Sequence, residues 1–225
     1  MRFKFISVVI IIGNFVLGGL LRIILANGEE TENILKAIQQ KYKTVERLEA
    51  KFVQTNYIAT LDQFREFKGK IFFKKPYFFD MEVNYPTNQR QTFDGQYLWI
   101  YTPANNQVLK SQISPDIINH PLISLLSTME NLEKDFFIEA NEKDLRVALK
   151  MILKEPHSEV RELLVALEKD DYRIKELTIC FESGNYTRIV LDKVKENLEI
   201  PAQQFHFSPP RGVEVVEPPR PSTVQ

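Results

Sequence analysis

Tyr77-Phe78-Phe79-Asp80-Met81-Glu82-Val83-Asn84-Tyr85 carries a two-residue period of apolar and polar side chains. Tyr77, Phe79, Met81, Val83 and Tyr85 take one set of alternating positions, and Phe78, Asp80, Glu82 and Asn84 take the other. Successive side chains of a strand point to opposite faces, so the segment reads as a strand with one mostly apolar and one mostly polar face. Pro86 has no N–H for a ladder and ends it. Upstream, residues 52–55 open a strand and 66–75 give another. Downstream, Gln91-Thr92-Phe93 and Tyr97 to Tyr101 flank Asp94-Gly95, a strong hairpin signal that predicts a type I′ turn with positive φ at both central residues. Residues 145–153, 163–168, 176–182 and 187–194 continue the series. Short polar connections between successive strands predict an antiparallel meander, since a parallel sheet needs crossover helices.

Two segments break the period. Over 31–48, Ile34, Leu35, Ile38, Tyr42 and Val45 recur at three- and four-residue steps, which predicts one amphipathic helix with Glu29, Glu30 and Glu32 at its positive end. Between 114 and 129, Ile117, Ile118, Leu122, Ile123, Leu125, Leu126 and Met129 crowd a short segment divided by Pro121. It is too apolar for a solvated helix and too short to span a membrane, so it must lie over an apolar surface. From Pro209 onward five prolines predict an extended, partly mobile tail. The class expected is α+β, mainly β, in one domain over 27–216, with 217–225 as a Pro-rich tail.

The N-terminus predicts export. Arg2 and Lys4 precede an uncharged run from Phe5 to Leu21, and Ile24-Leu25-Ala26 supplies a small residue for cleavage after Ala26. Arg22 and the length of the run leave an uncleaved anchor as the alternative. The chain has 29 basic and 30 acidic side chains; without Arg2, Lys4 and Arg22 the balance is 26 against 30, a net of −4. No excess of cation exists to neutralise phosphates, so nucleic acid is not an expected partner. Cys180 is the lone cysteine, which excludes an internal disulfide and reads as an apolar filler in a strand. A lipid anchor on an N-terminal cysteine is likewise not expected.

No metal or catalytic motif is legible. His120, His157 and His206 lack partners at ligand spacing, no Gly-x-Ser-x-Gly elbow occurs, and the glycines form no phosphate loop. Asp170-Asp171 reads as a solvated turn. Aromatic excess stands out instead: Phe72, Phe73, Tyr77, Phe78, Phe79, Phe93, Tyr97, Trp99 and Tyr101 lie between 72 and 101. Around Leu98 and Ile100 both alternating sets are apolar, so the sheet must pack something on each face. The long helix can cover one; the flap or a ligand covers the other, and an ordinary two-layer core remains open as the plainer reading.

Four motifs then resemble, in order, the outer-membrane lipoprotein carrier family (LolA). They are Phe52-x-Gln54; Gly69-Lys70-Ile71-Phe72-Phe73-Lys74-Lys75-Pro76; Phe93-Asp94-Gly95-x-x-Leu98-Trp99-x-Tyr101-x-Pro103 with Gln107; and Phe205-His206-Phe207-Ser208-Pro209-Pro210-Arg211-Gly212. The resemblance implies an incomplete antiparallel barrel closed by a short helical lid. It implies an apolar cavity, to which Phe72, Phe79, Met81, Val83, Trp99 and Tyr101 are assigned, lined by the 71–101 strands and capped by 115–129. Ile117, Ile118, Leu122, Leu125 and Leu126 become the lid. The implied role is non-enzymatic: a periplasmic monomer without cofactor or metal, carrying acylated lipoproteins. Its implied partners are an inner-membrane ABC-type lipoprotein-releasing complex and, where one exists, an outer-membrane receptor. The alternative on the same half-barrel is a stress-sensing or regulatory binding protein, tethered by an uncleaved N-terminal segment. Where the family has a lid-latching arginine, this chain has Lys75, which lacks the planar fork and predicts a weaker or differently aimed latch, or simply a surface lysine.

Overall fold

The alternating segment forms as β3 (Phe78–Tyr85), near the middle of one sheet. The computed structural model describes residues 16–112, 121–154 and 159–217. In chain order they give α1 (Val16–Lys43), β1 (Arg47–Ile58) and β2 (Gln63–Lys74), and then, after β3, β4 (Gln89–Phe93), β5 (Tyr97–Thr102) and β6 (Gln107–Gln112). Next come α2 (Pro121–Thr128), α3 (Leu132–Asp135), β7 (Phe136–Lys143), β8 (Arg146–Leu153), β9 (Val160–Glu168), β10 (Ile174–Phe181), β11 (Tyr186–Glu196) and β12 (Glu214–Val216). The twelve strands run in the order β12-β6-β5-β4-β3-β2-β1-β11-β10-β9-β8-β7, open at both ends. Every pairing is antiparallel except that of β12 with β6. The architecture is an incomplete antiparallel barrel with helices on its concave side.

The register assigns faces. Phe73, Phe79, Phe93 and Leu98 are cross-strand neighbours, as are Ile71 and Met81, with Gly69 beside Val83. This face is concave: Ile71, Phe73, Phe79, Met81, Val83 and Phe93 join one apolar cluster with Ile34, Leu35, Ile38 and Tyr42 of α1 and with the leucines of α2. The same cluster takes in Val147, Val165, Leu177 and Leu191 from the other half of the sheet. At Gly69 the strands approach so closely that an added Cβ would lie 1.8 Å from the carbonyl oxygen of Glu82, so only glycine fits.

Several expectations need correction. The first helix starts at Val16, so Glu29, Glu30 and Glu32 lie along it and not at its positive end. It ends at Lys43, and Leu48 belongs to β1, paired with Phe73, with β-branched Thr44 and Val45 at the change. A shift of register at Lys68/Gly69 places Tyr85 opposite Lys68, so Tyr85 leaves the apolar set and is 51% exposed. The Asp94-Gly95 hairpin forms, but Gly95 and Gln96 are its central residues and only Gly95 has positive φ (96°), the pattern of a II′ turn. Asp94 precedes the loop because its carboxylate accepts the Gln96 and Tyr97 N–H groups. The proline-rich end is not all tail: β12 runs parallel to β6, pairing Val215 with Val108. Residues 218–225 lie outside the described residues.

Candidate functional site

Helix α2 carries Ser124, Ser127 and Thr128 on one face and buries the aliphatic side chains of the other. Leu122, Ile123, Leu125 and Leu126 are each at most 3% exposed, and Met129 and Leu132 follow them into the core. Ser124 is the exposed position. Leu122, Leu125 and Leu126 pack into the apolar cluster of the concave face. Ile117 and Ile118 lie outside the described residues.

The six residues assigned to the cavity are split between two faces. Phe79, Met81 and Val83 are buried on the concave face. Phe72, Trp99 and Tyr101 are on the convex face, because Phe72 stands opposite Asp80, Asp80 opposite Thr92, and Thr92 opposite Trp99, with Tyr101 opposite Arg90. Trp99 and Tyr101 are covered by the chain's own C-terminal segment. Phe207 packs on Trp99 and on Tyr101, each at 5.8 Å between ring centroids, and Phe205 meets Phe78 at 6.2 Å. The 71–101 concave face is filled by the aliphatic side chains of α1 and α2 in place of the expected pocket. A cavity of about 580 Å³ lies elsewhere, lined by Gly28 and Thr31 of α1 and by Ile138, Ala148, Leu164 and Ala166 of β7 to β9.

The convex cover is fixed by a polar cluster that the alternation of 77–85 does not announce. Asp80 is fully buried. Arg90 donates to it through Nε at 2.7 Å and Nη2 at 3.2 Å, the Thr92 hydroxyl donates at 2.6 Å, and the Gln204 amide donates to its second oxygen. Arg90 also donates to the Gln204 carbonyl at 3.3 Å, which ties the covering segment to the sheet. Close by, the Trp99 indole N–H donates to Asp94 at 2.9 Å. Burial pushes the Asp94 carboxyl up, but the donors on Trp99, Tyr97 and Gln96 together outweigh it and hold the group below the ordinary carboxylate range.

Lys75 is where the lid, the sheet and α1 meet. Its ammonium donates to the Tyr42 carbonyl in the last turn of α1 at 2.7 Å and to Glu130, just past α2, at 3.0 Å. The Ser127 hydroxyl of α2 lies 2.8 Å from the Pro76 carbonyl and 2.8 Å from that of Ile123. These bonds tie the C-terminal end of α2 to α1 and to the segment after β2. A lysine can make both bonds from one point, without the fork of an arginine. The Tyr42 hydroxyl donates to the Tyr172 carbonyl and accepts from the Ile174 N–H, and burial raises its pKa strongly.

Among the described residues no cluster of histidine, cysteine or acid side chains could hold a metal ion, and no helix is long and apolar enough to cross a membrane. His206 is described; His120 and His157 lie outside. Asp171 pairs with Arg173 in the turn after β9.

The described residues define a class of open half-barrel whose concave face is filled by its own helices. Residues 43–208 match the family described as outer membrane lipoprotein carrier protein LolA, and the chain belongs to that family. The outer-membrane lipoprotein carrier protein of Francisella tularensis subsp. novicida is 25% identical over 178 residues, covering 79% of this chain and 84% of that protein. That of Azotobacter vinelandii is 23% identical over 193 residues, covering 86% and 92%. The crystal structure of an uncharacterised conserved protein from Thermus thermophilus superposes with a TM-score of 0.53 at 14% identity, covering 84% of this chain and 99% of that one, which bears on the fold alone. At the level of the family, the relatives are named carriers and not enzymes.

Proposed function

We propose that this protein carries lipoproteins through the periplasm, from the inner to the outer membrane, with their acyl chains held on the concave face now occupied by α2. The observation that carries this reading is the lid itself: four aliphatic side chains on one eight-residue helix, all buried against the sheet. Phe79, Met81 and Val83 are the wall against which the chains pack, and Leu122, Leu125 and Leu126 are what they displace. Lys75 latches the lid through Glu130 while holding the end of α1.

Magnitudes support a carrier that can also unload. Burying Leu122, Ile123, Leu125, Leu126 and Met129 stabilises the closed lid by roughly 10 kcal/mol at about 2 kcal/mol each. An acyl chain of about fifteen methylenes gains about 12 kcal/mol on full burial. One chain therefore barely offsets the lid it displaces, and several chains bind with only part of their gross burial energy. A hollow without a lid would hold its cargo too tightly to release it. Loading against the closed lid calls for an energy-coupled donor, an inner-membrane ABC-type releasing complex, and unloading calls for a tighter acceptor at the outer membrane. Residues 1–26 act in this scheme as the export signal.

Incubation with spheroplasts should release lipoproteins as soluble, stoichiometric complexes with the protein. Lipoproteins that stay on the membrane at every protein concentration would defeat the proposal.

A further inference from the structure

The sheet has a third free edge besides its two ends. β2 pairs with β1 along its whole length, from Ile58 opposite Gln63 to Arg47 opposite Lys74. On its other side, pairing with β3 begins only at Lys68, opposite Tyr85. Among the described residues, Gln63 to Phe67 therefore have no partner on that side. Their alternate N–H and C=O groups are open, and Gln63, Phe64, Arg65 and Glu66 are exposed, Phe64 by 62%. Such an edge is a template for another extended chain, and proteins ordinarily cover or blunt it. The edge of β7 is managed in that way: the Thr31 hydroxyl of α1 accepts from the Ala140 N–H at 3.2 Å, so a helix lies along it. The β12 edge is three residues long.

The free edge adjoins the concave face. Along β2 that face passes from Ile71 through Gly69 to Phe67, which packs against the core, and then to Arg65. Beyond Val83, β2 alone carries the rim. We propose that Gln63–Phe67 of β2 receive the polypeptide of the cargo as an added strand, beside the hollow that takes its acyl chains. The inference rests on the carrier reading. A lipoprotein bears its acyl chains at one end of its polypeptide, so with those chains in the hollow the polypeptide must leave over the rim. Pairing through backbone groups reads no sequence, which suits a carrier of many cargoes. A second copy of this chain fits less well. Antiparallel self-pairing centred on the five residues sets Arg65 directly opposite Arg65, and like charges so placed repel.

The test compares three probes: a synthetic diacylated cysteine with a ten-residue peptide after it, the diacylated cysteine amide alone, and the same lipopeptide N-methylated at alternate residues. Each is titrated onto the full protein. Phe64→Pro and Arg65→Pro serve as variants. Neighbouring N–H groups point to opposite edges, so one proline removes a donor from the free edge and the other from the β1 ladder; the variant whose thermal unfolding is unchanged is the edge variant. The expected result is that the lipopeptide binds at least about tenfold more tightly than the amide, the gain of a few net hydrogen bonds. That advantage should vanish on N-methylation and in the edge variant. Equal affinity for lipopeptide and amide would overturn the added strand and leave the carrier reading standing. Binding of none of the probes would remove the carrier reading and the added strand with it. A dimer in solution that the edge variant abolishes would assign the edge to a second copy and overturn the proposal.

Discussion

The two faces of the β3–β6 sheet are both apolar and both covered, yet the two covers are held differently. On the convex face Phe205 and Phe207 lie over Phe78, Trp99 and Tyr101, and Gln204 is bonded into the Arg90–Asp80–Thr92 cluster. The same segment continues to β12, which is laced to the sheet by pairing with β6. On the concave face α2 buries four aliphatic side chains, and the bonds around Lys75 and Ser127 fix its C-terminal end. Apolar contact is non-directional and can be replaced by any apolar chain of suitable shape, whereas a buried carboxylate with three donors cannot be exchanged. The convex cover is held by a directional polar cluster, the concave one chiefly by apolar contact.

The comparison can be broken most severely at Asp80. Asp80→Ala leaves Arg90 with an unpaired charge and Thr92 and Gln204 without their acceptor, and should destabilise the protein by about 3–5 kcal/mol in urea unfolding. A loss below about 1 kcal/mol would mean the convex cover is held by its aromatic rings alone. Next in size, Leu177→Ala on β10, at 0% exposure in the fixed core, should cost about 2–5 kcal/mol. Leu126→Asp on α2 should lower lipoprotein release far more, in proportion, than it lowers stability; equal losses would make Leu126 ordinary core. Lys75→Leu should change stability by about 1 kcal/mol or less while altering the rate of loading or unloading. Unchanged transfer kinetics would end its role as a latch.

The smallest expected effect is on pH. The Asp94 carboxyl is held low in the folded protein. Its contribution is present above the ordinary carboxylate pKa of about 3.9 and is lost as pH falls through the folded value. Asp94→Asn should flatten the acid limb of the stability curve; an unchanged limb would show that other carboxylates set it.

Much of this arrangement was legible in the sequence, and the reasons differ from one place to another. Strands at 78–85, 146–153 and 186–196 show in the period of two, since each buries one apolar set. The lid shows as an apolar run too short for a membrane. The division of the cavity residues was not legible. Both alternating sets around Trp99 are apolar, so periodicity cannot say which set faces in, and the distant residue Phe207 settles it. Asp80 was hidden for a related reason: a lone acid on an alternating strand looks solvated until Arg90, Thr92 and Gln204 are brought to it from 10, 12 and 124 residues away. Tyr85 was misplaced because one extra residue in a ladder inverts every later side chain. β6 and β7 have weak alternation, and their pairing partners reveal them.

Hydrogen exchange with and without bound lipoprotein separates a displaced α2 from a fixed one. With cargo bound, the α2 amides from Leu122 to Thr128 should lose protection, while those of 204–207 and of Glu214–Val216 should keep theirs. Unchanged protection of α2 in a stoichiometric complex, or loss of protection on the convex cover instead, would contradict its displacement.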